Sequence, residues 1–351
     1  EAGEKIDVSF AGQQKSTQAD DNGDWQLKLD ALQASSKGRT LSVKGDEGKT
    51  VAIDEVLVGD IWICTGQSNM HGTLRHYAGP GGGPRSDDSK AALNTANDFP
   101  NIRLVSLTPA SADTPQREVT YLPSYRNSWQ ISGDRSTQDF SAVGYMFGQI
   151  LNRKLNVPIG LIAAARGATP IQTWMSEKTQ TLVKARLTPA SYYKSMIHPI
   201  QKMTIKGAIW YQGENNSRNA ASAIGYAKLF NTHITRWREE WAQGDFPFIF
   251  VQLAGFSDVK KFDADCNWPL LRESQASALA LQNTGMAVAT DLGHATNIHP
   301  YAKKEVAERL AAEAMRVSYG KKSHSSGPMY ESVKFNGRHA IVSLKHVGSA
   351  L

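Results

Sequence analysis

The sequence predicts an α/β protein in which a parallel β-sheet lies between helices, joined to a small β-sandwich-like unit that is built from the two ends of the chain. Two observations predict this architecture. Through the middle of the chain, short apolar runs typical of buried strands alternate with longer segments of helical periodicity. Towards both ends, apolar and polar residues alternate with a period of two, which is typical of antiparallel strands with one buried face.

Residues 1–57 supply the first part of the β unit. Three stretches show the alternation: Ile6, Val8 and Phe10; Trp25, Leu27 and Leu29; and Leu41 with Val43. So short a unit has too little interior to fold alone, and we expect it to pack on another part of the chain. Residues 326–351 are the candidate partner, because alternating apolar residues there flank the turn-forming pair Asn336-Gly337.

The central domain, residues 58–325, is then inserted between these two parts. It opens with an apolar strand that ends at Gly66. Further strands are predicted over 102–107, 158–165, 205–211, 246–254 and 286–291, and helices over 140–151, 226–241, 269–282 and 300–317. Such alternation favours a parallel sheet with helices on both faces.

The composition restricts the classes of partner. Of the 351 residues, 40% are apolar and 21% are charged, which is an ordinary profile for a soluble globular protein. No apolar run approaches the ~20 residues of a membrane-spanning helix. The formal charge of +6 is spread along the chain rather than gathered in a basic arm. We therefore expect neither a membrane nor a nucleic-acid partner, and the sequence leaves the oligomeric state open.

The cellular compartment and the need for a metal or cofactor are indicated by the cysteines, the histidines and the first residues of the chain. Cys64 and Cys266 are too widely separated to suggest a disulfide framework, and Cys64 is expected to be a small buried residue. The histidines are scattered and neither cysteine has a C-x-x-C partner, so we expect no metal and no cofactor. The chain opens with neither an initiator methionine nor an apolar signal segment, which indicates a processed or trimmed chain. We expect a secreted or periplasmic protein.

Four polar segments follow predicted strands, and each contains residues suited to acyl transfer. They are 66–70 with Ser68, 165–170 with Gly167, 210–216 with Gln212, and 297–300 with His299. The carboxyl ends of parallel strands share one edge of the sheet, so these segments should converge there. In that position Ser68 is a candidate nucleophile. The alternative is that its hydroxyl only caps the helix that follows.

The motifs in these segments resemble those of the sialate O-acetylesterase family of SGNH-type hydrolases. That family reads G-Q-S-N-M, then G-G-T-P-I, then W-Y-Q-G-E-x-N, then D-I-H-P. The present chain reads G-Q-S-N-M at 66–70, G-A-T-P-I at 167–171, W-Y-Q-G-E-N-N at 210–216 and N-I-H-P at 297–300. The resemblance covers nearly the whole chain, including the flanking β segments, and implies the three-layer α/β/α fold of this class.

The resemblance also implies roles for individual residues. Ser68 would be the nucleophile and His299 the general base that takes its proton. The oxyanion would be stabilised by the backbone N–H groups of Ser68 and Gly167 and by the side-chain amides of Gln212 and Asn216. Glu214 is expected to support the glutamine loop.

The chain departs from the family pattern next to the histidine. Many SGNH hydrolases carry an aspartate three residues before the histidine, where this chain has Thr296, and the D-I-H-P aspartate is replaced by Asn297. We expect a backbone carbonyl near Thr296 to accept the Nδ1 proton of His299, giving a Ser-His dyad. Asp291 is the alternative orienting group.

Other departures concern the substrate. Arg166 stands where the family more often has tryptophan, and Arg75 lies in a segment where the family usually has acidic and aromatic residues. A guanidinium binds a carboxylate through two parallel hydrogen bonds, so either arginine could hold the carboxylate of a sialic acid. Gln67, Asn69 and Arg166 are the predicted substrate-binding residues.

The resemblance therefore implies a serine carbohydrate esterase that removes acetyl groups from sugar hydroxyls through an acetyl-enzyme. The leading substrate is an O-acetylated sialic acid, on a free sugar or a glycan. Acetylated xylan or another polysaccharide is the alternative substrate. The alternative of another class is a glycan-binding relative that has lost catalysis, which the absent aspartate would explain.

Overall fold

The structure is a computed structural model that describes residues 1–46, 48–125, 128–184, 189–256, 267–322, 327–345 and 347, without the side chains of residues 81, 82 and 134. Cys266 and the predicted boundary at residues 325 and 326 lie outside the described residues.

A seven-stranded sheet forms the centre of the molecule. Its strands are β5 (Asp60–Gly66), β6 (Ile102–Ser106), β7 (Gln130–Ile131), β8 (Ile159–Ala165), β9 (Gly207–Tyr211), β10 (Phe248–Gln252) and β11 (Thr284–Val288), and their order across the sheet is β11-β10-β9-β5-β8-β6-β7. All neighbouring pairs are parallel except β6 and β7. The strand before Ser68 lies in the middle of this sheet, as the predicted parallel architecture requires.

Nine α-helices accompany the sheets in the described part of the chain. They are α1 (Ser68–His71), α2 (Leu74–Ala78), α3 (Ser86–Asn94), α4 (Asp134–Gln138), α5 (Ala142–Leu155), α6 (Glu177–Leu182), α7 (Ala220–Trp241), α8 (Trp268–Ala276) and α9 (Lys303–Tyr319). None of the helices in the described ranges is long and apolar enough to cross a membrane.

The large helices cover both faces of the sheet, and the strand pleat shows which face each occupies. Trp62 packs edge-on against Phe147 of α5. Thr65 is three residues further along the same strand and therefore points to the opposite face. Thr65 is paired with Trp210, whose ring stacks on Phe230 of α7. Helices α5 and α7 thus lie on opposite faces, and the predicted α/β class with a sheet between helices is confirmed.

Four antiparallel strands precede the central sheet: β1 (Lys5–Phe10), β2 (Gln13–Gln18), β3 (Ser35–Gly45) and β4 (Thr50–Val58), in the order β2-β1-β3-β4. The strand predicted around Trp25 to Leu29 is wrong. Trp25 is 42% exposed, and the backbone at the end of this stretch is hydrogen-bonded to a side chain rather than to a neighbouring strand. The Gln13 amide accepts from the Asp30 N–H at 2.8 Å and donates to the Asp30 carbonyl at 3.2 Å.

The predicted hairpin at Asn336-Gly337 is confirmed. Strands β12 (Met329–Asn336) and β13 (His339–Lys345) are antiparallel and are joined through Gly337, whose φ of +57° suits a tight turn. The hairpin and the four-stranded sheet are separate sheets, and Phe335 is 78% exposed. The division into 1–57, 58–325 and 326–351, and the joining of both ends into one sandwich-like domain, stay predictions.

Candidate active site

Three of the four polar segments leave the sheet side by side. The register pairs Gly66 with Ala165 on β8 and with Tyr211 on β9, so β5, β8 and β9 end at the same level. The residues that follow these ends therefore meet at the carboxyl edge of the sheet, where ligands bind in open α/β folds.

Gly66 makes the turn that presents Ser68. Its φ of +134° is a conformation that residues with a side chain rarely adopt, and a Cβ there would lie 2.2 Å from the Tyr211 carbonyl oxygen. The next N–H, that of Gln67, donates to the same carbonyl oxygen at 2.9 Å. Only glycine lets strand β5 pass this close to β9 and still turn into α1.

Ser68 is the first helical residue of α1, and Gln67 occupies the N-cap position. No side chain caps this helix, so the interpretation of Ser68 as a helix cap is wrong. The side chain is half-buried, and its hydroxyl makes no hydrogen bond to any residue in the described ranges. The hydroxyl is therefore free to meet a ligand.

Gly167 lies against Ser68. A Cβ built on Gly167 would be 3.5 Å from the Ser68 Cβ, so the loop after β8 passes directly over the serine. Within the described part of the chain, no backbone or side-chain acceptor takes the N–H of Ser68 or of Gly167. Two unpaired backbone donors beside a free hydroxyl suit the stabilisation of a developing oxyanion.

Gln212 is placed differently from the prediction. Its side chain is fully buried, and its amide nitrogen donates to the Thr169 carbonyl at 3.1 Å and to Asn216 Oδ1 at 2.8 Å. Its amide oxygen accepts from the Tyr226 hydroxyl at 2.7 Å. Both amide hydrogens are thus engaged, and Gln212 has no donor left for an oxyanion in this geometry. It holds the loops after β8 and β9 together instead.

Asn216 is also buried, but its amide nitrogen is only partly engaged. Its Oδ1 accepts from the Ile171 N–H at 3.0 Å in addition to Gln212, which fixes the orientation of the amide. Its Nδ2 donates to Gln172 Oε1 at 3.2 Å. One amide hydrogen remains for another acceptor, so Asn216 stays a predicted oxyanion donor.

Gln67 and Asn69 flank the serine and are 3% and 2% exposed. Gln67 Oε1 accepts from the N–H groups of Asn215 at 3.2 Å and Gly213 at 3.5 Å, so it anchors the loop after β9. Asn69 is engaged at both ends of its amide by other protein groups. Asn69 therefore has no amide group left for a substrate, which does not support its predicted substrate-binding role. The amide nitrogen of Gln67 makes no hydrogen bond in the described ranges, so substrate binding by Gln67 stays a prediction.

The loop that carries His299 is shaped by side chains of its own. Asn297 Oδ1 accepts from the His299 N–H at 2.9 Å. His294 Nδ1 accepts from the N–H groups of Thr296 and Asn297 at 3.2 and 3.1 Å, which gives His294 a structural role. These turns delay helix α9, which begins at Lys303 rather than at the predicted residue 300.

His299 itself is half-buried. Burial lowers its pKa below the ordinary value, and the positive charges of Lys303 and His76 lower it further. Such an imidazole stays neutral, and able to accept a proton, at a lower pH than a free histidine.

Neither predicted orienting group binds the imidazole. Asp291 forms a bidentate ion pair with Arg309, with N–O distances of 2.6 and 2.7 Å, and this hydrogen bonding lowers the pKa of Asp291. Over the described ranges, the His299 ring makes no hydrogen bond to Asp291, Thr296 or Ser68. No hydrogen bond in the described ranges supports either orienting group, and both stay predictions.

The two arginines considered for a substrate carboxylate differ in their surroundings. Arg75 is ion-paired with Asp139 at 3.1 Å. Arg166 is exposed, directly precedes Gly167, and forms no ion pair with any residue that the structure describes. Of the two, Arg166 is the cation beside the serine that is free to bind an anion.

A buried polar network lies behind Ser68 and His299. Asn69 Nδ2 donates to Glu214 Oε1 at 2.6 Å and to the Ile298 carbonyl at 3.0 Å, and Asn69 Oδ1 accepts from Lys303 Nζ at 2.5 Å. Lys303 is 1% exposed, and burial lowers its pKa to about 7 against the opposing charge of Glu214. Burial likewise raises the pKa of the Glu214 carboxyl.

A cavity of about 390 Å³ opens beside the histidine loop, at the carboxyl ends of β10 and β11. Its lining comprises Gly255, Phe256, Trp268, Pro269, Arg272, Thr290, Asp291, Gly293, His294 and Ala295. The rings of Phe256 and Trp268 meet edge-to-face with centroids 5.5 Å apart. An aromatic wall with polar neighbours is suited to a sugar ring. In the described ranges, no group of three or more His, Cys, Asp or Glu side chains could hold a metal ion.

The family model described as "Carbohydrate esterase, sialic acid-specific acetylesterase" matches residues 58–316. The chain belongs to this family. The resemblance drawn from the sequence motifs is thereby confirmed.

Individual members of the esterase family agree with this assignment. The chain is 30% identical over 360 residues to the sialate O-acetylesterase of Homo sapiens and 28% identical over 387 residues to that of Rattus norvegicus. These alignments cover 92% of this chain in both cases, and 66% and 68% of the two relatives. The crystal structure of a carbohydrate acetylesterase from Xanthomonas citri superposes with a TM-score of 0.85 at 35% identity, covering 98% of this chain and 75% of that one.

Sequence reasoning missed one member of the buried network behind Ser68, Lys303. A lysine in the first turn of a helix is usually solvated, and nothing near it in the chain marks it as buried. The helical pattern does contain a signal. Lys303 lies three, four and seven residues before the buried Val306, Ala307 and Leu310, so it belongs to the apolar face of α9.

Proposed function

We propose that this chain is a carbohydrate O-acetylesterase that hydrolyses acetyl esters on sugar hydroxyls, with Ser68 as nucleophile and His299 as general base. The observation that carries the proposal is the arrangement around Ser68. A free hydroxyl lies against Gly167, and the N–H groups of both residues have no acceptor in the described part of the chain. Family membership supports the same reaction.

The reaction proceeds in two halves. The Ser68 oxygen attacks the acetyl carbonyl while His299 takes the hydroxyl proton, and the N–H groups of Ser68 and Gly167 bind the negative oxygen that forms. The carbon–oxygen bond to the sugar then breaks, and His299 returns the proton to the sugar oxygen. A water molecule, deprotonated by His299, then attacks the acetyl carbon of the acetyl-enzyme. The bond between that carbon and the Ser68 oxygen breaks, His299 returns the proton to the Ser68 oxygen, and acetate is released.

An O-acetylated sialic acid is the substrate that the charges around the site favour. The sialic acid carboxylate needs a cation, and Arg166 beside Gly167 is exposed and has no ion-pair partner among the described side chains. The curated relatives are sialate O-acetylesterases, whereas the Xanthomonas citri structure is described only as a carbohydrate acetylesterase. A neutral acetylated polysaccharide is therefore the second candidate. The proposal includes a secreted or periplasmic location, where such glycans occur.

The mechanism is tested with a chromogenic acetyl ester and two variants. Ser68→Ala and His299→Ala should each lower kcat by at least about 10⁴-fold, because nucleophile and base act as one unit. Ser136→Ala on helix α4 and His339→Ala on strand β13 serve as controls, because neither residue is part of the proposed site, and both variants should keep the wild-type rate. Turnover by Ser68→Ala at the wild-type rate would remove Ser68 from the mechanism. Absence of turnover by the wild-type chain on any acetyl ester would favour the glycan-binding alternative.

The substrate is tested by comparing kcat/KM on O-acetylated sialic acid and on acetylated xylan. Arg166→Ala should lower kcat/KM on the sialic acid by about 10–100-fold, the value of a charge-assisted hydrogen bond, and leave the neutral substrate unaffected. Arg75→Ala is the control, since Arg75 is already paired with Asp139. Equal losses of kcat/KM on both substrates would show that Arg166 does not bind the substrate carboxylate. A higher kcat/KM of the wild-type chain on the xylan would identify the neutral glycan as substrate.

A further inference from the structure

Asn69 connects the two residues that the proposed reaction must hold at a fixed distance. It directly follows Ser68, and its amide nitrogen donates to the carbonyl of Ile298, which directly precedes His299, at 3.0 Å. This hydrogen bond spans 229 positions of sequence and joins the loop after β5 to the loop before α9. In the described ranges, no hydrogen bond joins the Ser68 and His299 side chains themselves.

The orientation of the Asn69 amide is fixed by its neighbours. Lys303 Nζ donates to the amide oxygen at 2.5 Å, and in its protonated form it has no lone pair with which to accept. Glu214 Oε1 lies 2.6 Å from the amide nitrogen, and the Ile298 carbonyl can only accept. A flipped amide would place its oxygen against the Ile298 carbonyl oxygen and its nitrogen against the ammonium. The donor side of Asn69 is thus locked onto the backbone of the histidine loop.

Burial makes this orientation of the Asn69 amide rigid. Asn69, Glu214 and Lys303 are 2%, 6% and 1% exposed, so water cannot easily replace the hydrogen bonds between them. Lys303 is enclosed further by two aromatic rings, with its Nζ 4.9 Å from the centroid of Tyr77 and 5.6 Å from that of Tyr211. A fully buried network of hydrogen bonds holds a single geometry more strictly than the same bonds would in water.

We propose that Asn69 is a positioning residue that sets the spacing of Ser68 and His299, with Lys303 and Glu214 holding its amide in the required orientation. The inference rests on the proposed esterase function. Asn69 does not touch the reacting atoms. It acts through the backbone of Ile298, and it fixes the base in a chain where Asn297 stands in place of the motif aspartate.

The test uses a change that keeps the shape of the side chain. Asn69→Asp can still accept from Lys303 but cannot donate to Ile298, and it places two carboxylates in contact. We expect kcat on the chromogenic acetyl ester to fall by about 10²-fold, the effect of a misplacement of about 1 Å, with KM within about threefold of wild type. The like-charge contact should also lower the thermal unfolding midpoint.

A second variant separates positioning from folding. In Asn69→Asp/Glu214→Gln, the glutamine amide donates to the new carboxylate and Lys303 pairs with it, so the unfolding midpoint should return towards that of wild type. The Ile298 carbonyl still lacks its donor, so kcat should stay about 10²-fold low. Should the single variant not fold, this double variant decides the question alone.

Gln243→Glu is a control at an exposed side chain. Gln243 uses its amide in the same way, accepting from the Ile205 N–H at 3.0 Å and donating to the Ile205 carbonyl, but it does so before β9 at the opposite edge of the sheet. The change should lower the unfolding midpoint and leave kcat unchanged.

Recovery of kcat together with stability in the double variant would overturn the proposal, since Asn69 would then be structural only. A wild-type kcat in Asn69→Asp would overturn it as well. Failure of the esterase proposal is seen separately, because wild type and Ser68→Ala are measured on the same ester first.

Discussion

Alanine at Gly66 is expected to destabilise the whole chain, because this glycine meets two separate requirements. Its φ of +134° lies in a region that residues with a side chain rarely occupy. The added Cβ would also lie 2.2 Å from the carbonyl oxygen, 2.7 Å from the carbonyl carbon and 2.9 Å from the nitrogen of Tyr211. All three are backbone atoms of a central strand, so none can rotate away.

The size of the effect follows from these two terms. Backbone strain of this kind is worth about 1–3 kcal/mol. Overpacking against atoms that must shift adds about 1–3 kcal/mol. Together they remove about 2–6 kcal/mol from a free energy of unfolding that is typically about 5–15 kcal/mol. The shift of β9 would also displace Gln212 and the loop that carries Asn216.

Gly167→Ala is the companion variant that separates stability from activity. The nearest atom to its Cβ would be the Ser68 Cβ at 3.5 Å, an ordinary contact, and Gly167 does not have a positive φ. We expect its free energy of unfolding to stay within about 0.5 kcal/mol of wild type. The methyl group would occupy space above the serine, so kcat/KM on an acetyl ester should fall.

The assay is urea denaturation followed by tryptophan fluorescence, with ester hydrolysis measured on the same samples. Gly66→Ala should unfold at a clearly lower urea concentration and lose activity, whereas Gly167→Ala should lose activity alone. A Gly66→Ala chain with the wild-type unfolding midpoint would refute the argument from backbone contact. Full activity in Gly167→Ala would show that the acetyl group approaches Ser68 from another side.

Two further predictions concern the base and the sugar. The positive charge of His76 helps to lower the pKa of His299, and the proposed base would act in its neutral form. His76→Gln should therefore move the acid limb of the kcat/KM profile to higher pH. A limb that stays in place or moves to lower pH would contradict this. Trp268 forms part of the aromatic wall of the cavity beside the histidine loop. Trp268→Ala should therefore raise KM for an acetylated oligosaccharide by about 2–10-fold and leave KM for a small acetyl ester unchanged. Equal changes in KM on both substrates would contradict sugar binding in this cavity.

The central sheet and the place of the site could be predicted from the sequence because both depend on local patterns. Apolar runs locate the parallel strands, and the change to glycine and polar residues after Ile63 or Tyr211 marks where the strands end. The same local pattern was misleading around Trp25, where the alternation was present but the neighbouring backbone at Asp30 was already satisfied by Gln13.

The hydrogen-bond partners of individual side chains could not be predicted in the same way. The motif places Gln212 at the site but does not say that both its amide hydrogens are taken by Thr169 and Asn216. Nor does it say that Lys303 points inwards to Asn69. Such partners come from other loops, and the choice between them depends on which donor and acceptor the fold brings within about 3 Å.

The replacement of the motif aspartate by Asn297 can now be interpreted in physical terms. The Asn297 oxygen accepts from the N–H two residues later, at His299, a turn that aspartate and asparagine form alike. What the replacement removes is therefore negative charge and not loop shape. His299 is left near the positive charges of Lys303 and His76, which favour the neutral imidazole. In the proposed reaction that condition suits proton abstraction from Ser68, but it stabilises the later imidazolium less than a carboxylate would. A base without that partner depends more on its position, which is the property that we propose the Asn69 hydrogen bond to Ile298 controls.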